Sequence, residues 1–133
     1  MLRTLHSKRG GFTLVEIMIV VAIIALLAAI AVPNFLRSRK RSQATTILED
    51  LRAIDAAIDL YSIEFNKSNG NAIAWADIQL YIKRGTRLYT SNGTDILGNS
   101  FTIPTVENSP RVNATTFAAL SDVAPASFWS PYN

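Results

Sequence analysis

The stretch Phe12 to Val32, FTLVEIMIVVAIIALLAAIAV, limits what this chain can fold into more than any other part of it. Only Thr13 and Glu16 are polar among its 21 residues (32 − 12 + 1). As a helix it is about 31 Å long, close to the thickness of a bilayer's hydrocarbon core. This segment can cross a membrane. A short basic leader, MLRTLHSKRGG, precedes it. In a secretory signal peptide the small residues at the cut follow the apolar run, whereas here Gly10 and Gly11 come before it. Glu16 lies inside the run, where an ionisable residue costs a few kcal/mol on insertion scales.

Composition excludes several chemistries. The chain has no cysteine, and its one histidine, His6, is in the leader. Without the leader there is neither His nor Cys for nucleophilic catalysis or for the usual zinc sites. No glycine-rich phosphate loop is present. Asp55 and Asp59 are four apart on a helical pattern and read as a solvated face, not as an acid–base pair. No catalytic residue is assigned, and an enzyme is not expected. The net charge of +3 arises in the leader, since Arg3, Lys8 and Arg9 leave ten bases against ten acids when set aside. Four of those ten, Arg37, Arg39, Lys40 and Arg41, form one cluster, and the remainder carries six bases and nine acids. Such a head is not a nucleic-acid binder by charge.

Beyond Pro33 a second helical pattern takes over. Ala44, Ile47, Leu48, Leu51, Ile54, Ile58, Tyr61 and Phe65 recur at spacings of three and four, which makes one apolar stripe. Glu49, Arg52, Asp55 and Asp59 fall on the other side, with Glu49 and Arg52 within pairing reach. The segment NKSNG, residues 66–70, supplies the stop. A short helix around Trp75, Ile78, Tyr81 and Ile82 follows, stopped at Gly85, and Asn113 or Thr115 is placed to cap another over TTFAALSD. TRLYTSNGTDILGNSFTIPTV, residues 86–106, reads as strands turning at Asn92-Gly93 and Gly98-Asn99. The expected fold is therefore α+β: a long N-terminal helix, apolar then amphipathic, packed on a small antiparallel sheet. The aromatic tail containing Phe128, Trp129 and Tyr132 is expected to pack on that core.

From Lys8 to Phe35, KRGGFTLVEIMIVVAIIALLAAIAVPNF, the chain resembles the type IV pilin family, which includes the pseudopilins of type II secretion. The resemblance implies a leader over residues 1–11, a membrane and filament-core helix over 12–33, and a head over 34–133. It implies cleavage by a prepilin peptidase between Gly11 and Phe12, N-methylation of Phe12, and an assembly role for Glu16. Pro33 falls at the family's helix-kink position. Ala25 stands where many relatives carry Gly; alanine holds a helix about 1 kcal/mol better, which disfavours local unwinding there. The implied product is a structural subunit in a homo-oligomeric filament, surface pilus or secretion pseudopilus. It anchors in the bacterial inner membrane with its head in the periplasm and works with an inner-membrane assembly platform. The missing cysteines lean toward the pseudopilin.

Other readings accompany this one. Thr13 and Glu16 also fit a capping box, in which Glu reaches back to a backbone N–H at the helix start. A membrane-anchored binding module that never polymerises is one alternative, and a DNA-binding competence pilin using Arg37–Arg41 is another. TDILGNSF, residues 94–101, is similar to the D-x-W-G-N-x-Y segment that borders a calcium site in the major pseudopilin. Asp95, Gly98 and Asn99 match and Leu97 does not. Asp95 is thus a weak calcium candidate; otherwise no cofactor is expected.

Overall fold

The structure, a computed structural model, describes residues 10–133. The leader assignment over 1–11, with His6, lies almost wholly outside the described residues. The chain forms two compact units, the first ending at Leu36 and the second spanning Arg37–Asn133.

Helix α1, Leu14–Glu64, supplies the apolar run in the first unit and the packing stripe in the second. It starts at a satisfied cap. Thr13 Oγ1 accepts from the Glu16 backbone N–H at 3.2 Å, and Glu16 Oε2 accepts from the Thr13 N–H at 2.8 Å. These two bonds close the capping box and satisfy two of the orphan donors of a helix start. The helix continues unbroken through Ala25 and Pro33, although Pro33 has no N–H for the i−4 carbonyl. In the first unit every large apolar side chain from Phe12 onward is at least half exposed.

The second unit buries the stripe. Ala44, Ile47, Leu51, Ile54, Ala57 and Ile58 lie at 2% exposure or less. They pack with Ile78, Leu88, Leu120, Ala124 and Trp129, the last fully buried. The stop falls where expected: α1 ends at Glu64, Asn66 has φ +46° and Gly70 has φ +86°. After it come α2 (Trp75–Ile78) with a 3₁₀ turn (Gln79–Tyr81), α3 (Arg87–Thr90), α4 (Ala114–Leu120) and α5 (Ala126–Trp129). Asp77 Oδ2 accepts from the Ala74 N–H at 2.9 Å at the start of α2. Asn113 caps α4 by accepting from the Thr115 N–H at 2.9 Å.

The antiparallel sheet is a correction. Among the described residues there is no strand, only the antiparallel single bridges Ala72↔Thr105, Thr94↔Ser100 and Thr102↔Arg111. The first part of the expected strand region is helix α3, because Thr86 accepts from the Tyr89 N–H and acts as an N-cap. Asn92 and Gly93 do turn the chain, with φ +54° and +79°, and Gly98 turns it again at +87°. Only four residues, Thr94 to Leu97, separate the two turns, and Pro104 lacks a ladder donor soon after. The segments between breaks are too short to build a ladder, so pairing collapses to one bridge at a time.

Asp55, read as part of a solvated face, is instead one of three acids of α1 that anchor the head, with Asp50 and Glu64. Arg87 pairs with Asp50, Tyr132 donates to Asp55 at 3.1 Å, and Tyr81 donates to Glu64. Among the described residues Glu49 and Arg52 form no ion pair; the pairs are Arg87–Asp50 and Lys40–Asp122.

Candidate functional site

Gly11 and Phe12 precede α1 and are exposed. A Cβ built on Gly11 would meet nothing within 4 Å, so nothing in the fold itself requires glycine there. Phe12 is 86% exposed. The bond between them is thus an open, non-helical peptide two residues before a capped helix. Glu16 sits in the first turn with its carboxylate held by the Thr13 N–H, and Pro33 lies 17 residues further along the same helix (33 − 16). Gly11, Phe12 and Glu16 are brought together by sequence proximity and the cap alone. Asp95 belongs to the second unit.

Around Asp95 the loop closes on itself. Oδ1 accepts from the Leu97 N–H at 2.8 Å and the Asn99 N–H at 2.9 Å. Oδ2 accepts from the Thr116 hydroxyl, which in turn accepts from Asn99 Nδ2 at 2.9 Å. Asp95 is 3% exposed and Thr116 fully buried. A calcium ion needs six to eight oxygen ligands, whereas the donors around this carboxylate are N–H and O–H groups already bonded to it. Among the described residues no group of three or more His, Cys, Asp or Glu is placed to hold a metal. The residues around Asp95 do not fit calcium.

The sequence pattern missed this clasp and the anchors of α1, because each joins residues far apart in the chain. Their electrostatics follow from geometry. The hydrogen bond to Glu64 pushes the Tyr81 hydroxyl up to about 12. Burial, followed by the charge of Asp55, raises that of Tyr132. The hydrogen bond from Lys40 lowers the Asp122 carboxyl below the usual range.

Helix α1 thus begins with an exposed apolar stretch long enough to cross a membrane, opened by a capped Thr-x-x-Glu behind two glycines. A family pattern described as the prokaryotic N-terminal methylation motif matches residues 6–32. The chain is 35% identical over 58 residues to type II secretion system core protein G of Klebsiella pneumoniae, covering 44% of this chain and 41% of that protein. It is 40% identical over 70 residues to the type IV wide pilus major component of Thermus thermophilus, covering 53% of each chain. To the type IV major fimbrial protein of Dichelobacter nodosus it is 33% identical over 90 residues, covering 68% of this chain and 56% of the relative. The chain thus spans about half the length of the curated relatives it matches. No solved structure matches it. Over its N-terminal region the chain is similar to type IV pilins and to type II secretion pseudopilins.

Proposed function

We propose that this chain is a structural subunit of a type IV pilus-like or type II secretion pseudopilus filament and not an enzyme. The observation that carries the reading is the coincidence of the methylation motif, residues 6–32, with the apolar first part of α1, in which every large side chain is at least half exposed. Before assembly α1 anchors the subunit in the inner membrane with the head in the periplasm. After assembly the same surface packs among copies of the chain in the filament.

In this reading a prepilin peptidase cuts the exposed Gly11–Phe12 bond, and the new Phe12 amine is methylated. Glu16 then caps its own helix and offers its charge to the amine of an incoming neighbour on the assembly platform. The Asp95 clasp closes a loop of the head and holds no cation.

The test is Gly11→Val together with N-terminal mass spectrometry of the wild-type product. A Cβ at residue 11 meets open space, so the substitution leaves the fold intact and acts on the peptidase alone. The expected results are a wild-type chain that begins at methylated Phe12 and an uncut mutant longer by 11 residues. A normal mature band from Gly11→Val removes the reading.

A further inference from the structure

The cluster Arg37, Arg39, Lys40 and Arg41 is not used by the filament reading, and its four bases are not equivalent. Lys40 Nζ contacts both carboxylate oxygens of Asp122, at 3.1 and 3.0 Å. Arg37, Arg39 and Arg41 are exposed and enter no ion pair among the described residues. Arg37 and Arg41 are one helical turn apart and line a shallow groove with Ser38, Asp122 and Val123. The single acid in that groove, Asp122, is bonded to Lys40 and lies within electrostatic reach of Arg37, so one carboxylate faces three bases and the groove keeps a net positive charge. Two guanidinium forks beside a hydroxyl match a phosphate, which accepts several charge-assisted hydrogen bonds at once.

Position along the chain selects the phosphate's source. Arg37 follows Val32 by five residues and Arg41 by nine, or about 7.5 and 13.5 Å of helix rise. The polar layer on one side of a bilayer is about 5–8 Å thick. Side chains on a helix lean toward its N-terminus, here toward the membrane run, and arginine carries its charge out on a long apolar stem. Both guanidiniums therefore reach the headgroup layer.

We propose that the Arg37/Ser38/Arg41 groove binds the phosphate of an anionic phospholipid headgroup at the outer edge of the membrane-crossing run. The groove thus sets the depth at which the subunit waits before assembly and resists its extraction from the bilayer. The proposal rests on the reading of α1 as membrane-crossing.

The experiment uses the full chain purified from membranes in mild detergent, with bound lipid counted by native mass spectrometry. Phosphatidylglycerol and phosphatidylcholine are titrated in parallel. Two arginines at about fivefold each predict retention of phosphatidylglycerol about 25-fold over phosphatidylcholine. Arg37→Gln with Arg41→Gln should bring that ratio close to one, while Arg39→Gln, outside the groove, should change it less than about twofold. In the unmodified chain the preference should also fall as salt is raised; this arm needs no variant. Equal retention of the two lipids overturns the proposal, as does a double variant that keeps the preference. Displacement of phosphatidylglycerol by equimolar inorganic phosphate overturns it in favour of a free-phosphate site. Duplex DNA binding that the double variant loses while keeping its lipid preference overturns it in favour of nucleic acid. A wild-type chain that never enters bilayers removes this proposal and the membrane reading together, whereas equal retention by an inserted chain removes only the proposal.

Discussion

The hydroxyl of Tyr132 donates to Oδ2 of Asp55 at 3.1 Å, joining residues 77 positions apart. The end of the described chain is thereby fastened to the C-terminal part of α1. The neighbouring backbone bond from Val112 N to Tyr132 O, 2.9 Å, adds a third segment to the same junction. Tyr132→Phe should cost the second unit about 0.5–1.5 kcal/mol at neutral pH, read from denaturant unfolding of a fragment Arg37–Asn133.

Alkaline pH should weaken the same unit through Tyr132 and Tyr81. Both hydroxyls titrate above the ordinary value of 10.0 in the folded state, Tyr81 at about 12. A raised pKa means that the folded state holds its proton longer than the unfolded state. Their contribution is therefore complete below pH 10 and is lost as pH rises toward 12. Tyr81→Phe should flatten the fall in melting temperature across that window. A fall of unchanged steepness would show that this hydrogen bond is not the source.

Gly93 answers two demands. Its φ is +79°, and a Cβ there would lie 2.8 Å from the Trp75 ring. Trp75 is half-buried and packs against the core. Gly93→Ala should destabilise the second unit by about 1–3 kcal/mol, and a melting temperature equal to wild type would show that the ring does not press on the turn.

Asp95→Asn keeps the side chain's size but replaces one accepting oxygen with a donor, against N–H groups on one side and a hydroxyl on the other. The expected loss is about 1–3 kcal/mol, because buried donors lose their partner. Thr116→Val should weaken the same clasp without touching the loop's backbone bonds. Calcium should leave the melting temperature of all three proteins unchanged; a rise in wild type that Asp95→Asn abolishes would restore the cation reading.

Glu16→Gln separates the cap that Glu16 forms from the proposed pairing with a neighbour's amine. Glutamine also serves at the third position of a capping box, so α1 should start normally and the chain should be inserted and cleaved. Without the charge, pairing with a neighbour's Phe12 amine in a nearly dry setting is lost. Filament yield in a shear or crosslinking assay should fall at least tenfold while the processing blot stays normal. Wild-type yield would leave capping as the whole role.

The features written locally in the chain were legible without a structure. The apolar run Phe12–Val32, the capping box of Thr13 and Glu16, the stripe from Ala44 to Tyr61, the stop near Gly70 and the Asn113 cap each depend on residues within a few positions of one another. Helical periodicity and cap chemistry are short-range, so sequence alone determined them. What tertiary structure decided was long-range. Whether residues 86–106 paired as strands depended on Thr86 starting a helix and on two turns only four residues apart. Asp55 read as a solvated acid, and Asp50 and Glu64 drew no reading, because their donors, Tyr132, Arg87 and Tyr81, come from 77, 37 and 17 residues away. Asp95 sits in a segment similar to one that borders a calcium site, and its second oxygen accepts from Thr116, 21 residues on. A carboxylate's chemistry is set by the donors that folding delivers to it, and no local spacing records which those are.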